Sequence, residues 1–288
     1  MRTELFELAG RQCMVYKNER WDREEKYLIV QAVDKAWIGK NHIETEVSVA
    51  HKPAVGKELI NKALINKGNT KTEIAAACIQ EADKERLSAN GRDIYEHTPI
   101  DIEAEKIFDV SHSEIIFANF GVANWNNELS PWSADAVFKN QPFRGNAENT
   151  LNFVKDIFIP ELVARYSLPS DIKIVIGGYS LAGLFSLWAA YRTDIFHAVA
   201  AVSPSVWFPG WIEFAAQNHI CADNVYLSLG NREEKTNNKV MAKVGENIRL
   251  QKNIFDTHKI TSILEWNEGN HFKNVEERVA KGMLWVVG

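Results

Sequence analysis

Residues 172–185, which read IKIVIGGYSLAGLF, contain a serine whose neighbours suit covalent chemistry. A β-branched run leads to a glycine pair, then to Ser180 and to an apolar stretch of helical composition. A nucleophilic serine is held on a sharp strand-to-helix turn, which needs very small residues two positions before and after it. Gly178 and Ala182 occupy those positions. We therefore predict that Ser180 is a nucleophile.

A glycine-rich turn before a helix can also bind phosphate, or serve packing alone. The sequence around Ser180 has neither the Gly-Lys-Ser/Thr of a Walker loop nor the G-x-G-x-x-G order of a dinucleotide fingerprint. The strand and helix expected on either side favour the nucleophile over a phosphate site or a purely structural turn.

A serine hydroxyl needs a neighbouring base, which a third group holds in place. Four histidines follow the serine in the chain: His197, His219, His258 and His271. Of these, His271 comes just after a predicted strand and before the last predicted helix. Catalytic groups gather at the carboxyl ends of parallel strands. We predict His271 as the general base.

The third group should be an acid that follows the preceding strand, residues 225–229, because the chain order in such sites is serine, acid, histidine. Glu233 is our first choice and Glu234 the second, and either could instead be an ordinary surface charge. Glu268 is a further candidate, awkwardly placed on the loop of the histidine itself.

Two further groups of residues complete the predicted site. The amide of Leu181 is expected to stabilise an oxyanion, together with an amide near Asp34 or Lys35, after the predicted strand of residues 27–33.

Five aromatic residues are predicted to contact substrate: Tyr179, Trp125, Trp132, Trp207 and Trp211. The four tryptophans fall in predicted loops on the side of the sheet that carries the site. A pocket is one interpretation of them. Packing of the loops against an inserted segment, or a homodimer interface, is an equal alternative.

The elements that must position these residues alternate between strands and helices. The strand-like runs are residues 27–33, 114–118, 172–177, 198–202, 225–229 and 262–266. The helical patterns are residues 98–108, 147–166, 182–191, 240–258 and 273–286. This alternation predicts an α/β fold with a mostly parallel central sheet and helices on both faces. Residues 4–16 are expected to add an edge hairpin or strand.

Residues 36–97 break this rhythm and predict an inserted helical cap, which leaves residues 1–35 and 98–288 as the core. Residues 70–73 form a capping box, and residues 90–91 supply a helix stop. A basic run, residues 57–71, could suit a nucleic-acid-binding helix pair, but interspersed acids favour a solvated lid face.

The composition limits partners and location. The chain has 288 residues, a net charge of −5 and a pI near 6.0, so nucleic acid is a poor default partner. No apolar run approaches the roughly 20 residues of a membrane span, and the first residues do not resemble a signal peptide. Three separated cysteines without metal-ligand spacing favour a reducing compartment. We expect a cytoplasmic protein without a membrane or metal site.

Four segments resemble the Putative esterase family of α/β-hydrolases, which includes esterase D-like and siderophore-esterase-like enzymes. They are residues 177–183 (GGYSLAG), 203–205 (SPS), 230–233 (GNRE) and 269–272 (GNHF). The resemblance covers residues 27–34 and 113–288, whereas residues 36–97 depart from the family pattern.

This resemblance implies an α/β-hydrolase fold and hydrolysis of a carboxylic ester by Ser180, Glu233 and His271, without metal or organic cofactor. We expect a small or medium soluble ester as substrate. An acyltransferase with the same triad, or a catalytically silent binding protein, are the alternatives.

Overall fold

A computed structural model describes residues 1–17, 26–38, 98–137 and 141–288. The backbone divides into two units, residues 1–42 with 97–288 and residues 43–96. Residues 39–97 of the predicted cap, which include its capping box and basic run, lie outside the described residues. The cap therefore stays a prediction.

Within the described residues the main sheet has eight strands, and it confirms the predicted α/β architecture. Its strands are β1 (Arg2–Leu8), β2 (Arg11–Lys17), β3 (Lys26–Asp34), β4 (Glu114–Val122), β7 (Lys173–Tyr179), β8 (Ala198–Val202), β9 (Asn224–Gly230) and β10 (Thr261–Asn267). Their order is β1-β2-β4-β3-β7-β8-β9-β10. The strands from β4 to β10 in this order are parallel, and β1 and β2 form an antiparallel hairpin at one edge. Two short strands, β5 (Ser133–Ala134) and β6 (Phe143–Arg144), pair separately.

Helices cover both faces of the sheet. They are α1 (Pro99–Val110), α2 (Trp125–Glu128), α3 (Ala147–Phe153), α4 (Ile159–Tyr166), α5 (Leu181–Arg192), α6 (Trp211–Gln217), α7 (Val244–Thr257) and α8 (Val275–Val286). Helices α1 and α8 contribute to one buried apolar cluster, and α3 to α7 contribute to the other. These two clusters are the cores on either side of the sheet.

The apolar composition of strands β4 and β8 and of helix α5 agrees with their burial in the structure. Every residue of β4 and β8 is buried, which explains why these strands read as mostly apolar runs rather than as alternating ones, with Glu114 and Asn119 of β4 as the polar exceptions. Helix α5 is buried from Leu181 to Tyr191, so it lies in the core rather than at the surface.

The helix predicted over residues 147–166 is interrupted by a π-helical turn, Val154–Phe158. Pro160 explains the interruption, because its ring nitrogen cannot donate the hydrogen bond of a regular helix. The remaining segments agree with their predictions to within a few residues, except that Met241–Lys243 is a 3₁₀ turn before α7.

None of the helices in the described ranges is long and apolar enough to cross a lipid bilayer. Cys13 and Cys221 carry free thiols, and burial raises the pKa of Cys13 to about 12. The third cysteine, Cys78, lies outside the described residues.

Candidate active site

Ser180 lies on a sharp turn between β7 and α5. Its φ of 59° and ψ of −120° belong to a backbone region that residues with a side chain rarely adopt. Such strain concentrates where the fold must present a side chain in a fixed direction. The turn therefore has the conformation expected of a nucleophile elbow.

The small residues around this turn are required by close backbone approach. A Cβ atom added at Gly178 would lie 2.8 Å from the backbone carbonyl carbon of Ala182. One added at Gly183 would lie 2.9 Å from the carbonyl oxygen of Gly178. The sequence prediction of small flanking residues is thus explained by the packing of the turn.

The structure brings Ser180, His271 and Glu233 together. The Nε2 atom of His271 lies 3.0 Å from the Oγ atom of Ser180, and its Nδ1 atom lies 2.6 Å from Oε2 of Glu233. Each group comes from a different loop at the carboxyl ends of the strands, after β7, β9 and β10. The three side chains form one continuous hydrogen-bonded chain.

Glu233 is buried, with 7% of its surface exposed. Burial alone would raise the pKa of its carboxyl, but hydrogen bonds from His271, Arg278 and the Gly230 amide outweigh it, so the pKa lies below the ordinary value. The Oε1 atom accepts hydrogen bonds from the Gly230 amide at 2.7 Å and from the Ser203 hydroxyl at 2.8 Å. Glu233 is therefore held as a carboxylate.

The alternative acids lie elsewhere. Glu234 forms an ion pair with Arg249 at 3.0 Å, and Glu268 pairs with Lys273 at 3.1 Å. Neither contacts His271 in the described structure, so Glu233, our first choice, is the glutamate at the site.

The other three histidines are remote from this chain of hydrogen bonds. His197 precedes β8, at the opposite end of the sheet from Ser180, and pairs with Asp223. His219 and His258 pack ring on ring, with centroids 4.3 Å apart.

The order of strands and helices places both predicted oxyanion donors, the amide of Leu181 and an amide at Asp34 or Lys35, at the edge of the sheet that carries Ser180. Leu181 is the first residue of α5, so its amide belongs to the helix N-terminus directly after Ser180. Strand β3 pairs with β7 in a register that ends at Gln31 and Gly177, so Asp34, the last residue of β3, lies at the same edge of the sheet as the end of β7. The carboxylate of Asp34 accepts from the Ala36 amide and caps the 3₁₀ turn Lys35–Trp37.

A sequence model of the Putative esterase family matches residues 98–279, more than half of the chain. The chain belongs to this family. It is accordingly a carboxylic ester hydrolase. Among curated proteins, none matches the chain significantly in sequence.

Solved structures of hydrolases share the fold of this esterase at low sequence identity. An IroE-like serine hydrolase from Shewanella oneidensis matches 99% of this chain and 79% of its own, with a TM-score of 0.60 and 13% identity. The siderophore hydrolase EstB from Aspergillus nidulans matches 99% and 93%, with a TM-score of 0.61 and 13% identity. The enterobactin esterase FES from Shigella flexneri matches 99% and 59%, with a TM-score of 0.55 and 12% identity. These likenesses confirm the α/β-hydrolase fold.

A cleft of about 280 Å³ opens beside His271 in this esterase. Its lining includes Trp207, Met241, Phe272, Arg232 and Lys235. Phe272 is 81% exposed, and its ring lies edge-on to His271. The lining of the cleft thus combines apolar side chains, two cations and the His271 imidazole, and it does not include Ser180.

The predicted aromatic contacts divide between the cleft and the core. Trp207 lines the cleft. Trp211 is wrong as a substrate contact, because its side chain is fully buried and donates to Gln251 at 2.9 Å. Trp132 donates to the carbonyl of Pro209 at 2.9 Å and so joins two loops.

For Trp125 and Tyr179, contact with substrate stays a prediction. Trp125 begins α2 and packs against the buried core. The Tyr179 hydroxyl donates to the backbone carbonyl of His271, and the two rings lie 5.0 Å apart. The Tyr179 side chain therefore contacts the loop that carries His271.

Sequence reasoning missed Arg278 and Ser203, which both contact Glu233. A signal for Arg278 was present. It lies next to Val279, at the flank of the apolar stripe of Val279, Met283 and Val286 in the predicted last helix, and all four residues are buried in α8. A charged residue on such a face needs a buried partner.

Proposed function

We propose that this esterase cleaves a carboxylic ester through a covalent acyl-enzyme on Ser180, with His271 as general base and Glu233 as the orienting acid. The observation that carries this proposal is the unbroken chain from Glu233 Oε2 to His271 Nδ1 (2.6 Å) and from His271 Nε2 to Ser180 Oγ (3.0 Å). Both distances lie in the range that proton transfer requires.

In the acylation half of the reaction, the Oγ atom of Ser180 attacks the ester carbonyl carbon while its proton passes to Nε2 of His271. The tetrahedral intermediate then expels the alcohol oxygen, which takes that proton from the imidazolium. Glu233 keeps Nδ1 protonated and stabilises the positive ring while it exists.

The negative oxygen of the intermediate needs preorganised donors. We assign this role to the amide of Leu181 and to a second amide at Asp34 or Lys35. The position of Leu181 at the start of α5 adds the positive end of the helix dipole.

Deacylation repeats these steps with water. His271 removes a proton from the water as it attacks the acyl carbon, and the proton returns to Ser180 Oγ as the carboxylic acid leaves. The enzyme is restored, and the net reaction converts ester and water into acid and alcohol.

The cleft supports a small or medium substrate, because its volume of about 280 Å³ lies just below the usual range of ligand pockets, roughly 300–1,000 Å³. His271 lines the cleft, and His271 protonates the departing oxygen, so we place the alcohol part of the ester there. A siderophore ester belongs in a substrate panel, because two structural neighbours are described as a siderophore hydrolase and an enterobactin esterase.

Fluorophosphonate labelling tests this proposal. A fluorophosphonate phosphonylates a serine only where the serine is activated, so we expect the probe on Ser180 in peptide mass spectra and none on Ser180→Ala. Ser186→Ala is the matched control, because Ser186 lies in the same helix with its hydroxyl bonded to the Ala182 carbonyl. A folded wild-type protein that resists the probe would favour the silent binding protein.

A further inference from the structure

Arg278 is a buried cation whose contacts converge on Glu233. It lies in the first half of α8, is 3% exposed, and its Nη2 atom donates to Glu233 Oε1 at 2.8 Å. Nη2 also donates to the hydroxyl of Ser203, which itself donates to the same carboxylate oxygen at 2.8 Å. The guanidinium and a neutral hydroxyl therefore hold Oε1 together.

Arg278 also reaches the carboxyl ends of all four strands from β7 to β10: the last residue of β7 and the loops that follow β8, β9 and β10. Its Nη1 atom lies 3.5 Å from the Tyr179 hydroxyl and 3.4 Å from the Asn270 carbonyl, while Nη2 contacts Ser203 and Glu233. Its guanidinium also lies over the Tyr179 ring, 5.7 Å from the centroid. One side chain thus connects the loops that carry the nucleophile, the acid and the base.

The two carboxylate oxygens of Glu233 have different hydrogen-bond partners. Oε1 is occupied by Arg278, Ser203 and the Gly230 amide, which leaves Oε2 to His271. Without the guanidinium, Oε1 would lose its strongest partner, and rotation about the terminal side-chain bond would cost less. The direction in which Oε2 points depends on what holds Oε1.

We propose that Arg278 is a positioning residue, which locks Glu233 in the orientation that presents Oε2 to His271. This inference rests on the proposed triad, because Arg278 acts through Glu233 and lies away from the reacting atoms. Its planar fork matters as much as its charge, since a lysine in its place would offer a single nitrogen to partners at the ends of four strands.

A double-mutant cycle on kcat tests this role. We expect Arg278→Met to lower kcat for a model ester by about 10- to 100-fold with KM changed less than about three-fold, the range for residues that orient a catalytic partner. Adding it to Glu233→Ala should lower kcat by less than about two-fold more, because the group through which Arg278 acts is already absent. Arg278→Lys should recover part of the loss.

Arg249→Met is the matched control, because Arg249 pairs with the neighbouring Glu234 at the surface. It should leave kcat unchanged. A folded Arg278→Met or Arg278→Lys variant with wild-type kcat would overturn the positioning role. So would a double variant whose kcat falls below that of Glu233→Ala by the full single-variant factor.

Loss of Arg278 leaves a buried carboxylate without its cation, which can prevent Arg278→Met from folding. In that case, kcat of Arg278→Lys is compared with that of wild type. The kcat of the double variant is compared with that of Glu233→Ala. Ser180→Ala separates this inference from the proposed function. If Ser180→Ala hydrolyses the ester at the wild-type rate, the triad itself is refuted. If Ser180→Ala is inactive while the cycle is additive, Arg278 alone is misassigned.

Discussion

At the scale of single residues, two adjacent glutamates have opposite environments. Glu233 is buried against His271 and Arg278, and Glu234 faces outward to Arg249. The 3₁₀ turn Glu233–Lys235 after β9 causes this difference, because it directs consecutive side chains to different sides.

Exchange of each glutamate for glutamine tests the assignment of the acid. Glu233→Gln removes the charge that orients and stabilises the His271 imidazolium, so we expect kcat/KM to fall by about 10²- to 10⁴-fold. Glu234→Gln disturbs only a surface ion pair and should change kcat/KM by less than about two-fold. Steady-state kinetics on one model ester measure both, and equal losses would refute the distinction.

Most of the candidate site could be predicted from the sequence because its signals are local. Ser180 is marked by the small residues of its turn, and His271 by its place after the last strand. Glu233 and Glu234 could not be separated with certainty, because one residue of displacement in an irregular loop reverses a side chain's direction. Arg278 was missed because its role depends on its hydrogen bond to Glu233, which lies 45 positions earlier in the chain.

At the scale of elements, the turn at Ser180 depends on the close packing of β7 against α5 as well as on the chemistry of the serine. Strand β7 and helix α5 approach closely enough at Gly178 that any larger residue would meet the backbone of Ala182.

Gly178→Ala tests this requirement. The added methyl has a backbone atom 2.8 Å away, so the turn must open. We expect the free energy of unfolding to fall by about 1–3 kcal/mol, the usual cost of overpacking, and kcat to fall as Ser180 moves from His271. Denaturant unfolding and ester kinetics measure the two effects. An unchanged free energy of unfolding together with an unchanged kcat would show that the turn accommodates the methyl group, which would contradict this requirement.

The strands were predicted well, because a buried parallel sheet leaves continuous β-branched and apolar runs in the sequence. The irregular helical turns were not. The π turn Val154–Phe158 and the 3₁₀ turn Met241–Lys243 depend on local hydrogen-bond choices that hydrophobic periodicity does not report. The two tryptophans of the predicted loop at residues 206–211 differ: Trp207 lines the cleft, whereas Trp211 is buried at the start of α6.

At the scale of the whole molecule, one buried acid outside the site links stability to pH. Glu103 on α1 is 2% exposed and accepts a hydrogen bond from Gln31 on β3 at 2.8 Å. Burial raises the pKa of Glu103 to about 8, from an ordinary value of 4.5. The folded state therefore holds a proton that the unfolded chain releases, and this group's contribution to stability declines as pH rises from about 4.5 to about 8.

Glu103→Gln should remove that decline. The amide has nearly the same shape and carries no titratable proton, so we expect Tm to change little near pH 4.5 and to rise by several degrees at pH 8 relative to wild type. Asp109→Asn, at an exposed position of the same helix, should show no such pH-dependent gain. Calorimetry across this pH range decides between them, and a parallel shift of both variants would contradict the assignment.

Three expectations at this scale stay predictions: the inserted cap at residues 36–97, the cytoplasmic location and the homodimer. Helix punctuation motivates the cap, the cysteines and the first residues motivate the location, and the tryptophans in predicted loops motivate the homodimer.

The central claim is that Ser180 and His271 act as one unit, and a double-mutant cycle on kcat/KM tests it most directly. Each single alanine variant should lose at least roughly 10³-fold, and the double variant should lose little more, because removal of either group disables the other. Losses that multiply in the double variant would contradict the account.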